Sequence, residues 1–226
     1  MGLFISLEGG EGSGKSTQAV RLWERLRDAG HQALLVQEPG STPLGWGLRN
    51  LLKSHRGMAF STELALFAAA RAELVEKVIK PELARGTVIV ADRYVDSTVA
   101  YQGYGRRLPL EIINTLNAFV TQGLKPTRTF LLDLEPAEGL RRLGDAQLSL
   151  VQEGETRQSG RADEEGQRRF EEEPLAFHRR VRRGYLAVAK AEPQRFVILD
   201  ATRPREVLEE VIWKDVSPLL TATPRP

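Results

Sequence analysis

LFISLEGGEGSGKST, residues 3–17, is an apolar run that breaks into a glycine-rich turn ending in Lys15, Ser16 and Thr17. The spacing G-x-x-x-x-G-K-[ST] is met by Gly9, Gly14, Lys15 and Ser16, with a strand-like run before it and a helical stretch, Gln18–Ala29, behind it. That order reads as a phosphate-binding loop; the bland alternative is an ordinary glycine-rich strand-to-helix turn. Wrapping a triphosphate requires successive backbone N–H groups to point inward. This asks for residues that accept positive φ and bring no Cβ into the phosphate's space. Gly9, Gly10, Gly12 and Gly14 are expected to supply them, with Glu11 and Ser13 between. The following helix turns its positive end to the anion, Lys15 can bridge the β- and γ-phosphates, and the Ser16 hydroxyl can ligate Mg²⁺. The expected ATP cradle therefore runs from Gly9 to Thr17.

Outward from this loop, 226 residues suit one α/β domain with a modest insertion. Lys and Arg number 32 against 30 Asp and Glu, a net charge of +2 without a segregated basic block, so neither a nucleic-acid nor a membrane surface is expected. With no cysteine there is no disulfide, thiolate metal site or thiol chemistry. No leader with an apolar core and no apolar run of about eighteen residues stands out, so a soluble, cytoplasmic chain is expected.

Apolar runs at 3–7, 33–36, 88–91, 129–132 and 196–199 predict five short buried strands, with helical periodicity between them. Gly30, Gly86 and Gly123 sit where helices should stop, and Pro109 where one should open. Alternating strands and helices without a repeat imply a doubly wound, three-layer fold whose ligands bind at the carboxyl ends of parallel strands.

Three segments at such ends carry chemistry. Glu38-Pro39-Gly40-Ser41 turns into a short helix bearing Arg49, a guanidinium suited to a phosphate or, equally, to a surface ion pair. The helix predicted from about Thr62 to Arg85 has an apolar face of Leu64, Phe67, Leu74 or Val75, and Val78, interrupted by Arg71 one turn after Phe67. Phe67 and Arg71 can stack a flat base and bind its carbonyl edge, or the arginine can be a buried ion pair. Strand 87–91 ends in Asp92-Arg93-Tyr94, then Val95-Asp96-Ser97-Thr98-Val99-Ala100-Tyr101-Gln102-Gly103. Here Asp92 can hold the water shell of Mg²⁺, Arg93 an acceptor phosphate, and Ser97, Thr98, Tyr101 and Gln102 a base or sugar. An Asp–Arg pair closing the strand is the plainer reading.

Residues 141–183 hold ten arginines, nine acidic residues and no lysine. A solvated, salt-bridged helical hairpin is the usual meaning. Phosphoryl transfer, however, needs positive charge over the transferring group, and the loop has Glu11-Gly12 where an arginine could have sat. A glycine-punctuated mobile lid at about 141–171 carrying Arg157, Arg161, Arg168 and Arg169 can supply it. The turn Asp200-Ala201-Thr202-Arg203-Pro204 is expected near the phosphate loop.

Taken together, LEGGEGSGKST, EPGST, the Phe67–Arg71 helix with its VIKP tail, DRYVDSTVAYQG, FHRRVRRGYL and ILDATRP resemble the thymidylate kinases of bacteria over nearly the whole chain. The resemblance implies a homodimer of P-loop NTPase domains, each a three-layer sandwich with a five-stranded parallel sheet, transferring the ATP γ-phosphate to dTMP with Mg²⁺ in dTTP synthesis. Carried over by position, it makes Glu11 the partner of the deoxyribose 3′-hydroxyl and Arg49 and Arg93 the clamp on the dTMP phosphate. Phe67 would stack on thymine and Arg71 reach its O4 edge. Thr98 and Gln102 would border the base, Tyr101 would crowd the position of a ribose 2′-hydroxyl, and Ser97 would support the loop. Gly12 places the chain with members whose catalytic arginine comes from the lid, Arg161 first and Arg157 second. The chain departs from the family at Gln37, where many members have arginine, and at Arg168-Arg169-Phe170-Glu171, a motif that usually begins with aspartate. A kinase for another nucleotide acceptor and a P-loop ATPase switch are the alternative readings.

Overall fold

All five apolar runs form strands: β1 (Phe4–Gly9), β2 (Ala33–Gln37), β3 (Val88–Asp92), β4 (Arg128–Asp133) and β5 (Phe196–Asp200). They pair in parallel in the order β2-β3-β1-β4-β5, with Leu7 beside Asp92 in the β1–β3 register. The carboxyl ends that carry the glycine loop and the Asp92-Arg93 pair are thus neighbours. In this computed structural model the described residues are 2–152 and 169–221, with 146–152 and 221 described by backbone alone.

The alternation of β1 builds a layer on each side of the sheet. Leu3, Ile5 and Leu7 join Val88 and Val90 beneath α1 (Lys15–Asp28) and α9 (Arg205–Thr221). Phe4 faces the opposite side with Ile89 and Ala91, under Leu74, Val75, Ile79 and Leu83. Strands buried on both faces need apolar side chains in both registers, which is why the sequence shows runs rather than strict alternation. The even register of β1 also carries Ser6, whose hydroxyl meets that of Thr129 at 2.8 Å, and the buried Glu8. Gly30, Gly86 and Gly123 all take positive φ after their helices.

The helix read over 62–85 is less regular than its pattern implies. It comprises α3 (Phe60–Leu74), a π-helical turn Val75–Ile79 in which the Lys80 N–H reaches back five residues to Val75, and α4 (Lys80–Ala84). Pro81 offers no N–H to the ladder, and the widened turn lies just before it. A second π-helical segment, Val99–Gly105, follows the short α5 (Val95–Thr98). It packs tightly because its glycines have no Cβ: one on Gly105 would lie 2.6 Å from the Phe177 ring. α2 (Pro43–Ser54), α6 (Leu110–Thr121), α7 (Pro136–Gln152) and α8 (Leu175–Ala191) complete the described helices. Among the described residues no helix is long and apolar enough to cross a membrane.

Candidate active site

A cavity of about 230 Å³ opens at the carboxyl ends of β1 and β3. The loop after β1 forms its floor. Gly9, Gly12 and Gly14 adopt positive φ, as a loop curled around an anion requires, whereas Gly10 does not, correcting the reading of all four. Gly12 has a second reason to be glycine: a Cβ there would stand 2.1 Å from the carbonyl oxygen of Gly139 in α7. No side chain, arginine included, fits at this position without displacing that helix. Helix α1 starts at Lys15, earlier than the Gln18 of the sequence pattern, so the Lys15 and Ser16 side chains leave from its first turn and line the cavity. Ser13 and Thr17 do not: Ser13 Oγ donates back to the Gly10 carbonyl at 2.9 Å, and Thr17 is exposed.

Asp92 lies across from Ser16, whose Oγ donates to Asp92 Oδ2 at 2.6 Å, while Asp92 Oδ1 is buried without a partner. Gln37 Nε2 donates to the same Oδ2 at 3.4 Å, and its backbone N–H donates to the Ser41 hydroxyl oxygen at 2.8 Å. Burial, with Arg93 next, draws Lys15 below the usual lysine range; Glu11 and Asp92 oppose this.

Arg93 is the hub of the second wall. It is one of four non-glycine residues at positive φ (+75°), among the described residues. That twist sends its guanidinium back over the loop, to the Gly9 carbonyl at 3.3 Å, Ser97 Oγ at 3.2 Å, Tyr185 Oη at 3.1 Å, Tyr101 Oη at 3.1 Å and Glu11 Oε1 at 2.9 Å. Burial works against its charge, but Tyr101 and Glu11 outweigh it and lift Arg93 well above the usual arginine range. Burial likewise pushes Glu11 up, yet Arg93, Lys15 and the Tyr101 hydroxyl (2.6 Å) hold it down to about 2. Beneath them Glu8 accepts the Tyr94 N–H at 2.7 Å, Ser97 Oγ at 2.6 Å and Tyr185 Oη at 3.0 Å; burial and Asp96 push it up to about 7.

The third wall comes from α3, the end of α5 and the second π-helical segment. Phe67, Arg71, Thr98, Tyr101 and Gln102 all line the cavity, and the buried Thr98 Oγ1 has no partner. Arg71 is 1% exposed and is the buried ion pair that the sequence left as an alternative. Its Nε donates to Glu38 at 2.7 Å, Nη1 to Asn117 at 2.8 Å and Nη2 to the Tyr94 carbonyl at 3.3 Å. Three donors so fixed leave two N–H groups on a guanidinium that also borders the cavity. Arg49 completes the ring of cations, its Nη1 on the Pro39 carbonyl at 3.0 Å; burial lowers it from the usual arginine range.

The structure thus brings together Glu11, Lys15, Ser16, Arg49, Phe67, Arg71, Asp92, Arg93, Ser97, Thr98, Tyr101 and Gln102 around one space. Arg157, Arg161 and Arg168 lie outside the described residues. Arg169 and Phe170 also line the cavity. Sequence reasoning missed Glu8, Tyr185 and Phe170 as parts of this constellation. A carboxylate inside a largely apolar strand was the available signal for Glu8; Tyr185, on α8, stood in the FHRRVRRGYL stretch without a role assigned to it.

The thymidylate kinase family model matches residues 7–212. A thymidylate kinase of Deinococcus radiodurans is 48% identical over 217 residues, spanning 96% of this chain and 97% of that one. One from Synechococcus sp. is 48% identical over 228 residues, with 99% and 100% covered. The crystal structure of thymidylate kinase from Ehrlichia chaffeensis superposes with a TM-score of 0.70 at 32% identity, covering 93% of this chain and 97% of that one.

Proposed function

The chain belongs to the thymidylate kinase family, and from that membership we propose that it transfers the γ-phosphate of ATP to dTMP, giving dTDP and ADP. The observation that carries the reading is the single cavity in which a phosphate loop ending in Lys15 and Ser16 faces a wall of Phe67, Arg71, Thr98 and Gln102. A P-loop switch has no use for this third wall.

The acceptor phosphate oxygen is already anionic, so transfer needs no general base and no covalent intermediate. Positioning and charge neutralisation carry it. Lys15 meets the β- and γ-phosphates, while Arg93 and Arg49 hold the dTMP phosphate. Phe67 stacks on thymine, Arg71 offers its two remaining N–H groups to O4, and Thr98 and Gln102 border the base. Glu11 takes the 3′-hydroxyl through Oε2, which faces Lys15 at 3.9 Å, because Oε1 is engaged by Arg93 and Tyr101. Tyr101, held in turn, crowds a ribose 2′-hydroxyl. The donor set fits Mg²⁺: Ser16 Oγ, and Asp92 with a buried, unpartnered Oδ1, suit an ion that otherwise keeps waters and substrate phosphates as ligands. When bound, the ion neutralises phosphate charge. Arg161, or else Arg157, adds charge from a lid spanning about 141–171 of a single domain.

The test is ADP formation from Mg·ATP with dTMP, dUMP, the ribonucleotide of thymine, dCMP, dAMP, dGMP or thymidine. Expected are strong stimulation by dTMP, weaker by dUMP and the ribo form, and none by thymidine. Equal ADP with every acceptor and with none would overturn the assignment.

We also propose a homodimer. α3 leaves Phe60 (46%), Ala65 and Ala69 exposed, and its neighbour α6 exposes Ile112 (57%) and Phe119 (80%), two turns apart on one face. Sedimentation at assay concentrations is expected to give the mass of two chains; a single-chain mass would refute the pairing.

A further inference from the structure

The segment Arg169-Phe170, which departs from the family motif just before it, is tied down on three sides. Glu63, fully buried in the first turn of α3, receives Arg169 Nη2 at 2.5 Å, Arg106 Nε at 3.2 Å and Gln102 Nε2 at 2.8 Å. Arg106 in turn holds Glu173 at 2.5 Å, so two guanidinium groups and two carboxylates balance in a cluster whose centre, Glu63, is buried while Glu173 reaches its edge. A buried carboxylate is tolerated only when so compensated. Arg169 Nη1 also donates to the Leu52 carbonyl at 2.9 Å, near the end of α2.

This anchoring fixes the next side chain. The Phe170 ring lies 6.2 Å from Phe67, tilted by 51°, and meets Tyr101 edge-on at 5.6 Å, with the Arg106 guanidinium 5.6 Å from its centre. Two parallel rings with a base between them stand about 7 Å apart, twice the carbon contact distance. Phe67 and Phe170 therefore form a corner rather than a slot. A flat group stacked on Phe67 runs into the second ring, which limits how far it can extend.

Resting on the dTMP reading of the cavity, we propose that Phe170 is a specificity-determining residue of the acceptor site, a wall sized for one pyrimidine ring, and that Arg169 positions it through Glu63 and the Leu52 carbonyl. Losing one aromatic contact with the base is worth about tenfold in apparent affinity. Steady-state rates over a matrix of ATP and dTMP, and separately ATP and dGMP, test this with Phe170→Ala, Phe170→Leu and Arg169→Lys. Phe170→Ala is expected to raise the KM for dTMP about tenfold, leave the KM for ATP within about twofold, and narrow the preference for dTMP over dGMP. Arg169→Lys, keeping the charge but not the fork, is expected to shift the dTMP KM in the same direction. An unchanged dTMP KM with intact rejection of dGMP, or equal rises in both KM values, would overturn the proposal. Phe170→Leu, which keeps most of the buried volume, carries the same comparison if the alanine variant does not fold, with about a threefold rise expected. The unsubstituted enzyme is assayed first: failure of dTMP to stimulate it removes the function reading itself, whereas stimulation with an unaffected Phe170→Ala removes only the wall.

Discussion

Lys15→Ala is expected to lower kcat by about 10³-fold while leaving the thermal unfolding midpoint nearly unchanged. The first half follows from position. Lys15 emerges from the first turn of α1 into the floor of the cavity, 8% exposed, where a cation acts with little screening from water. The acceptor is already anionic, so the chemical step has no proton transfer to fall back on once charge neutralisation is withdrawn. The second half follows from how little the fold asks of this side chain. Its polar contacts are a long 3.4 Å approach to the Gly10 carbonyl and a 3.9 Å approach to Glu11. Removing a partly desolvated cation that Arg93 already disfavours costs the folded state little. Coupled measurement of ADP release, with a melting curve on the same preparation, checks both. A variant retaining kcat within tenfold would show that the loop binds phosphate without stabilising its transfer.

The elements whose meaning rests on local spacing were readable in the sequence. Strands buried on both faces leave continuous apolar runs, and a phosphate loop needs glycines at fixed offsets, so β1 to β5 and Gly9–Ser16 could be located without knowing what packs on them. The ambiguity at Arg71 was physical. A guanidinium interrupting an apolar stripe fits an ion pair and a ligand contact alike, and only Glu38, Asn117 and Tyr94, distant in sequence, show that three of its donors serve the fold. Gly10 was misread because the motif asks for glycine only at 9 and 14, and a glycine between them does not reveal its φ. The two π-helical segments leave no periodic signature of their own. Phe170 lay hidden for another reason: its place in the cavity depends on Arg169 reaching Glu63, more than a hundred residues earlier.

Arg93→Lys is expected to lower kcat/KM for dTMP by about 10³-fold, close to the loss from Arg93→Ala, because charge alone does not replace this side chain. Its guanidinium spans Glu11, Tyr101, Ser97, Tyr185 and the Gly9 carbonyl at once, and an ammonium has neither the reach nor the planar fork to do so. Arg93→Ala also has a signature in stability. Glu11 ionises at about 2 in the folded protein against an ordinary 4.5. A carboxyl depressed in the native state contributes stability that is fully present above the unfolded value and is lost as pH falls from about 4.5 toward 2, here on the order of 3 kcal/mol. Burial alone would raise Glu11, so removing its strongest cation in Arg93→Ala moves the folded value back toward 4.5 or above. The acid limb of the melting-temperature profile should then flatten. Melting curves between pH 3 and 7, beside dTMP kinetics at neutral pH, separate two roles for one side chain. A flattened acid limb with dTMP kinetics unchanged would leave Arg93 as the clamp that orients Glu11 and assign the acceptor phosphate to Arg49. Loss of both would mean that the clamp on Glu11 and the hold on the acceptor depend on the same guanidinium.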